Sequence, residues 1–179
     1  GLEQRAISIA GLDVRDLAGE YGTPLFVLDE ADFRARAAAF REAYADQDVP
    51  ADVFYAGKAF LSARVARWVA EEGLCLDVCS LGELSVAMRV GFPGNKIGMH
   101  GNNKSAEEIR AGLTYGVGRI VVDSFHEIER VAAIAAELDV VAPVMVNRTT
   151  GHLVDGHLRV DLALARGEAT IPVSYVELT

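Results

Sequence analysis

The stretch Glu72-Gly73-Leu74-Cys75-Leu76-Asp77-Val78-Cys79-Ser80-Leu81-Gly82-Glu83-Leu84 packs the end of one helix, a short strand and the start of another helix into thirteen residues. Gly73 stands where a helix has ended and the chain must turn. Leu74-Cys75-Leu76 is a brief apolar run that stops at an acid, Asp77. Ser80 and Glu83 fit the Ser-x-x-Glu capping box, in which each side chain accepts a hydrogen bond from the other residue's backbone N–H.

The same unit recurs on both sides. Apolar runs occur at Leu25–Leu28, Val53–Ala56, Leu74–Leu76, Ile97–Met99, Arg119–Val122 and Pro143–Val146, and from Val53 onward they begin 21, 23, 22 and 24 residues apart. That interval holds one strand, one helix and two short loops. Ser105 with Glu108 and Ser124 with Glu127 repeat the capping box a few residues after their runs. Between them apolar residues recur at three and four, as in Val65 and Val69, then Leu84, Ala87 and Met88, then Ile128, Val131, Ile134 and Leu138.

Short apolar strands alternating with amphipathic helices specify a parallel sheet covered by helices. No Gly-x-Gly-x-x-Gly follows the first strand, so the regular spacing predicts an α/β fold of the (β/α) barrel kind over a doubly wound sheet, which is the alternative. The expected architecture is a partial (β/α) barrel of parallel strands over residues 1–146. It ends in an extra helix–strand unit within 147–179 that packs on the first part.

Composition narrows the function. Apolar residues make up 51% of the 179 and charged ones 24%, the balance of a globular protein that needs no disulfide or metal to hold its core. A net charge of −9 disfavours nucleic acid as a partner, because that binding draws on clustered Lys and Arg. No apolar run approaches the roughly 20 residues of a membrane span, so no membrane partner is expected. The two cysteines, Cys75 and Cys79, build neither a disulfide framework nor a four-ligand zinc site, and the expected compartment is the cytoplasm. No metal is expected.

Polar residues fall at one phase of the repeat. Lys58, Asp77, His100, Asp123 and Asn147-Arg148 lie at or just past the C-terminal ends of successive strands, the face that carries the active site of a parallel barrel. Taken singly, Asp77 and Asp123 read as helix caps and His100 as a loop residue. Taken together they read as one rim. Lys58, between Tyr55-Ala56 and Ala59-Phe60, is expected in an apolar setting that disfavours its charged form and frees the amine to attack an aldehyde. The outcome is a Schiff base with pyridoxal phosphate or with a substrate. Asp77 is positioned to accept from the protonated nitrogen or to hold the lysine, and Glu83 to support it from behind.

Four motifs then carry a resemblance: Tyr21-Gly22-Thr23-Pro24-Leu25-Phe26-Val27, Tyr55-Ala56-Gly57-Lys58-Ala59, the run Glu72 to Leu84, and His100-Gly101-Asn102-Asn103-Lys104-Ser105. In order and spacing they resemble the N-terminal part of bacterial diaminopimelate decarboxylase, from about Ile9 to about Val146. That family is a fold-type III pyridoxal-phosphate decarboxylase converting meso-diaminopimelate to L-lysine. The resemblance implies that Lys58 carries the cofactor and that Asp77 and Glu83 lie beside it. His100 is a further cofactor-site candidate at a strand end, and an amino acid is the substrate.

Past Val146 that family's arginine, glycine-rich phosphate loop and later catalytic parts do not follow. The chain therefore reads as a fragment or chimera: cofactor binding is expected to be weak or absent, and decarboxylation by this chain alone is not expected. The tail, with Asp155-Gly156-His157-Leu158-Arg159, is similar to the second half of a ParB-like N-terminal domain, which implies nucleotide or DNA binding through Gly156 and Arg159. Without a basic cluster that reading ranks below a non-catalytic α/β scaffold. His152, Asp155 and His157 suit no single face of a helix or strand, which counts against a metal site. A half-barrel left open exposes two strand edges and an apolar interior, so a homo-oligomer is expected.

Overall fold

The computed structural model describes residues 7–47, 50–138, 144–147, 153–155 and 173–176. A two-stranded antiparallel pair, β1 (Ser8–Ile9) and β2 (Leu12–Asp13), precedes two helices, α1 (Val14–Tyr21) and α2 (Glu30–Ala45). Strand and helix then alternate: β3 (Phe54–Ala56), α3 (Ala63–Glu71), β4 (Cys75–Val78), α4 (Leu81–Arg89), β5 (Ile97–Met99), α5 (Ala106–Tyr115), β6 (Arg119–Ile120) and α6 (Phe125–Glu137). Strands β3, β4, β5 and β6 form one sheet in chain order, every neighbour parallel. A doubly wound sheet reverses its strand order at a switch point. These four do not reverse, which is the arrangement of a partial barrel.

A second sheet holds β7 (Val144–Asn147), with β8 (Leu153–Asp155) antiparallel and β9 (Val173–Val176) parallel to it. The helix expected from Asp155 to Arg166 lies, beyond Asp155 itself, outside the described residues.

The local signals explain the elements. Ser62, Ser80, Ser105 and Ser124 each cap a helix by accepting from the backbone N–H three residues on. Only Ser105–Glu108 forms the full reciprocal box. In the other two expected boxes the glutamate reaches one residue further back, Glu83 to the N–H of Cys79 and Glu127 to that of Asp123. The difference is physical: a carboxylate has acceptor capacity to spare, and the strand-to-helix loops put a nearer orphan donor in reach. The run Leu25–Leu28 corrects another expectation. It forms no strand among the described residues, and Phe26 is 94% exposed. Apolar patterning identifies a strand only where a neighbour exists to pair with it.

Register assigns the two faces of the parallel sheet. Tyr55, Leu76, Val78, Ile97, Met99 and Ile120 share the face packed under the helices, where Leu76, Val78, Ile97 and Met99 meet Val65, Trp68, Val69, Leu84 and Ala87 in the core. Phe33 of α2 adds aromatic contacts, its ring centroid 5.3 Å from Tyr55 and 5.5 Å from Trp68. The opposite face carries Phe54, Ala56, Cys75, Asp77, Gly98 and Arg119, and His100 continues its alternation beyond β5. This inner face is therefore not the apolar interior expected. Arg119 lies 4.8 Å over the Phe54 ring and pairs with Asp52 at 3.3 Å, so charge reaches well into it.

Candidate active site

The turn that carries Lys58 follows β3 directly, as a 3-10 helix over Gly57–Ala59. Two contacts fix it. The Tyr55 hydroxyl donates to the Phe60 carbonyl at 2.7 Å, closing the turn from the helix-covered side. Gly57 presses against the neighbouring strand end, so closely that a Cβ there would stand 2.8 Å from the Asp77 carbonyl oxygen and 3.4 Å from Glu83 Oε2. No side chain fits at that approach. Lys58 itself is exposed, and no hydrogen bond or ion pair engages its ammonium among the described residues. The apolar enclosure expected from its flanking residues does not form among the described residues: Ala59 and Phe60 are exposed beside it.

Asp77 and His100 meet across the ends of β4 and β5. Nδ1 of His100 donates to Asp77 Oδ1, and the His100 backbone N–H donates to the Val78 carbonyl at 2.8 Å, which extends the β4–β5 pairing by one residue. The Asp77 side chain is 16% exposed and that of His100 48%, so the carboxylate is sheltered while the ring stands in the opening. With Nδ1 holding the proton, a neutral ring keeps Nε2 as an acceptor. Asp77, cast as a partner for the lysine, is thus engaged by His100. Glu83, expected to support it from behind, accepts from the Cys79 N–H at 2.7 Å and stands behind Gly57.

The rim is stitched from helix to helix by carboxylates. Glu108 accepts from the Ser105 N–H at 2.8 Å and from the Leu81 N–H of the preceding unit at 3.2 Å. These backbone donors and the Ser105 hydroxyl hold its carboxyl below the usual range, against the push of burial. Glu127 accepts from the Lys104 N–H at 2.8 Å and pairs with Lys104 Nζ at 3.1 Å, each side chain only 2% exposed. Burial alone raises the Glu127 carboxyl, but hydrogen bonds from Lys104 and Asp123 outweigh it and leave the group lowered. Sequence reasoning missed this pair. Lys104 lies in the quoted His100–Ser105 motif and Glu127 in a capping box, but no pattern marks either as buried.

The other expected positions do not join the cluster. Asp123 is exposed on the loop into α6, where its N–H serves Glu127. Asn147 ends β7 in the second sheet, and Arg148, His152, Gly156, His157 and Arg159 lie outside the described residues. Among the described residues no group of three His, Cys, Asp or Glu side chains is arranged to hold a metal ion. No described helix is long and apolar enough to cross a membrane.

Residues 30–155 match the family described as "Pyridoxal-dependent decarboxylase, pyridoxal binding domain". Diaminopimelate decarboxylase of Mycobacterium tuberculosis is 54% identical over 149 residues, 83% of this chain and 33% of that protein. The Mycobacterium leprae enzyme of the same name is 49% identical over 166 residues, 93% of this chain and 34% of that protein. The crystal structure of the M. jannaschii diaminopimelate decarboxylase in complex with L-lysine superposes with a TM-score of 0.67 at 25% identity, covering 99% of this chain and 46% of that one. The chain spans about a third of the length of the curated relatives it matches. The family match runs to Asp155, and none of these matches carries the ParB-like likeness of the tail.

Proposed function

The chain belongs to the pyridoxal-dependent decarboxylases, and from that premise we propose that it is the cofactor-holding part of an enzyme that decarboxylates meso-diaminopimelate to L-lysine. The observation that carries the reading is the common rim. Lys58, Asp77 and His100 stand at or just past the C-terminal ends of three adjacent parallel strands, with Gly57 packed against Asp77.

The residues present suit pyridoxal phosphate, the cofactor of this family. A primary amine with no bonded partner among the described residues stands on a fixed turn at the strand end next to a carboxylate–imidazole pair, a donor set suited to an aldehyde that carries a polar ring. When bound, the cofactor supplies that aldehyde and a conjugated ring that takes up the electron pair released as a substrate carboxylate departs. Lys58 offers the attaching amine. Asp77 orients His100 and holds its ring proton at Nδ1, leaving Nε2 to accept a proton or a hydrogen bond in the opening. Tyr55 and Glu83 keep the turn and the rim in place.

The edges β3 and β6 of the parallel sheet, which no other strand covers among the described residues, support a homo-oligomeric assembly. The two free thiols, Cys75 buried and Cys79 half-buried, support a cytoplasmic setting. A difference-absorbance titration with pyridoxal phosphate tests the cofactor reading. A saturable change that disappears in Lys58→Ala supports it. No saturable change in the native chain leaves the alternative, a non-catalytic α/β scaffold.

A further inference from the structure

The site uses neither Lys104 nor Glu127, yet these are the charged side chains most thoroughly removed from water among the described residues. Burying two opposite charges gains little over an apolar pair of the same volume, so such a pair is poorly explained by stability alone. Its hydrogen bonds show where it acts. Lys104 Nζ donates to the Gly101 carbonyl at 2.8 Å and to the Val121 carbonyl at 2.5 Å, as well as to Glu127. Glu127 accepts from the Lys104 N–H at 2.8 Å and the Asp123 N–H at 3.3 Å. Beyond their mutual contact, both side chains spend their polar atoms on the backbones of two rim loops.

One of these loops begins with His100. Its backbone is unusual: Gly101 has φ +101° and Asn103 φ +52°, so two of three consecutive positions lie in the left-handed region that L-residues avoid. Gly101 also lies so close to β4 that a Cβ would stand 2.6 Å from the Cys79 carbonyl oxygen. Arg130 completes the hold, donating to the Lys104 carbonyl at 2.5 Å and to Asn103 Oδ1 at 3.4 Å. A short loop with this conformation does not stay put without such contacts.

We infer that the buried Lys104–Glu127 pair, with Arg130, is a positioning device for His100: it fixes the loop so that the imidazole meets Asp77. The consequence for the cofactor rests on the function proposed above. The geometric claim does not. Lys104 and Glu127 touch no reacting group, so they are positioning residues, and their effect is read on His100 itself.

The test uses the full chain with 15N-labelled histidine and no cofactor, with long-range 1H–15N spectra reporting the protonation of each ring nitrogen. His126, 92% exposed and with Nδ1 3.7 Å from Glu129 Oε2, is the internal reference for a ring on the surface. In the native chain the His100 proton is held at Nδ1. In Lys104→Met the two His100 nitrogen signals move toward those of His126, while circular dichroism and Trp68 fluorescence stay native. Removing one partner of a buried pair can prevent folding, so two further variants are measured: Lys104→Met with Glu127→Gln, which leaves no buried charge, and Arg130→Gln, which leaves the pair intact. A smaller shift in the same direction is expected for Arg130→Gln. Unchanged His100 signals in every variant that folds overturn the inference.

The same variants are then treated with pyridoxal phosphate. The concentration giving half-maximal modification of Lys58 rises about tenfold or more, the scale known for outer partners of metal-bound histidines. A displaced His100 with unaltered modification overturns the functional half. No modification of the native chain overturns the proposed function instead, and leaves the spectra to decide the geometry.

Discussion

Nδ1 of His100 donates to Asp77 Oδ1 across the ends of two neighbouring parallel strands, on the sheet face turned away from the helices. The contact links two units of the repeat, and it turns a strand-end aspartate from a helix-start acid into the orienting partner of an imidazole. Neither residue alone distinguishes this rim from an ordinary loop.

If that contact organises the site, Asp77→Ala frees the His100 ring and weakens cofactor attachment at Lys58. A charge-assisted hydrogen bond is worth about 1.5–3 kcal/mol, so folding stability falls by no more than that while half-modification by pyridoxal phosphate moves to higher concentration. Urea unfolding and a modification curve on the same variant check both parts. Unaltered modification in a folded variant counts against the role given to Asp77.

Gly57→Ala places a methyl group 2.8 Å from the Asp77 carbonyl oxygen, inside any normal contact. The turn must move, and the expected loss is about 1–3 kcal/mol, typical of overpacking. Modification of Lys58 falls with it. Lys58→Ala, by contrast, alters an exposed side chain with no bonded partner among the described residues, and stability stays within about 0.5 kcal/mol of native.

Much of this was legible in the sequence, for reasons that can be named. The spacing of the runs and the Ser-x-x-Glu starts located β3 to β6 and α3 to α6, because strand length, helix length and capping chemistry are local properties. The same phase put Lys58, Asp77 and His100 on one rim. Local signals failed where a distant partner decides the outcome. Leu25–Leu28 has strand composition but no strand to pair with among the described residues, and the apolar residues that flank Lys58 in the chain leave it exposed. Burial of Lys104 depends on Gly101, Val121 and Glu127 converging from three segments, which no window of residues reveals.

Acid stability follows from Glu108 and Glu127, both lowered from an ordinary value of 4.5. A carboxyl with a lower folded than unfolded pKa binds protons more readily when unfolded. Its stabilisation is fully present above pH 4.5 and is lost as the pH falls through the folded value. Urea midpoints measured from pH 6 downward should therefore hold steady, then decline below that point. In Glu108→Gln the decline is shallower. An equally steep decline contradicts the assignment.

Trp68 is the single tryptophan and packs against Phe33 at the helix-covered face, so its fluorescence reports the core. Leu76 is 0% exposed at the centre of that face. Leu76→Ala is expected to destabilise the chain by about 2–5 kcal/mol, the usual range for a large-to-small change in a packed core. A loss well under 1 kcal/mol, read by Trp68 fluorescence in urea, contradicts the layer arrangement.

Light scattering checks the assembly. With β3 and β6 unpaired on their outer sides among the described residues, the chain is expected as a dimer or larger species at micromolar concentration. A single monomeric species contradicts it.

The most direct test of the central claim is chemical. The full chain is mixed with pyridoxal phosphate, reduced with borohydride, digested and mapped by mass spectrometry. The account predicts that the reduced adduct concentrates on the peptide containing Lys58, well above Lys96 and Lys104, and vanishes from that position in Lys58→Ala. Equal labelling of exposed lysines, or none at Lys58, would contradict it.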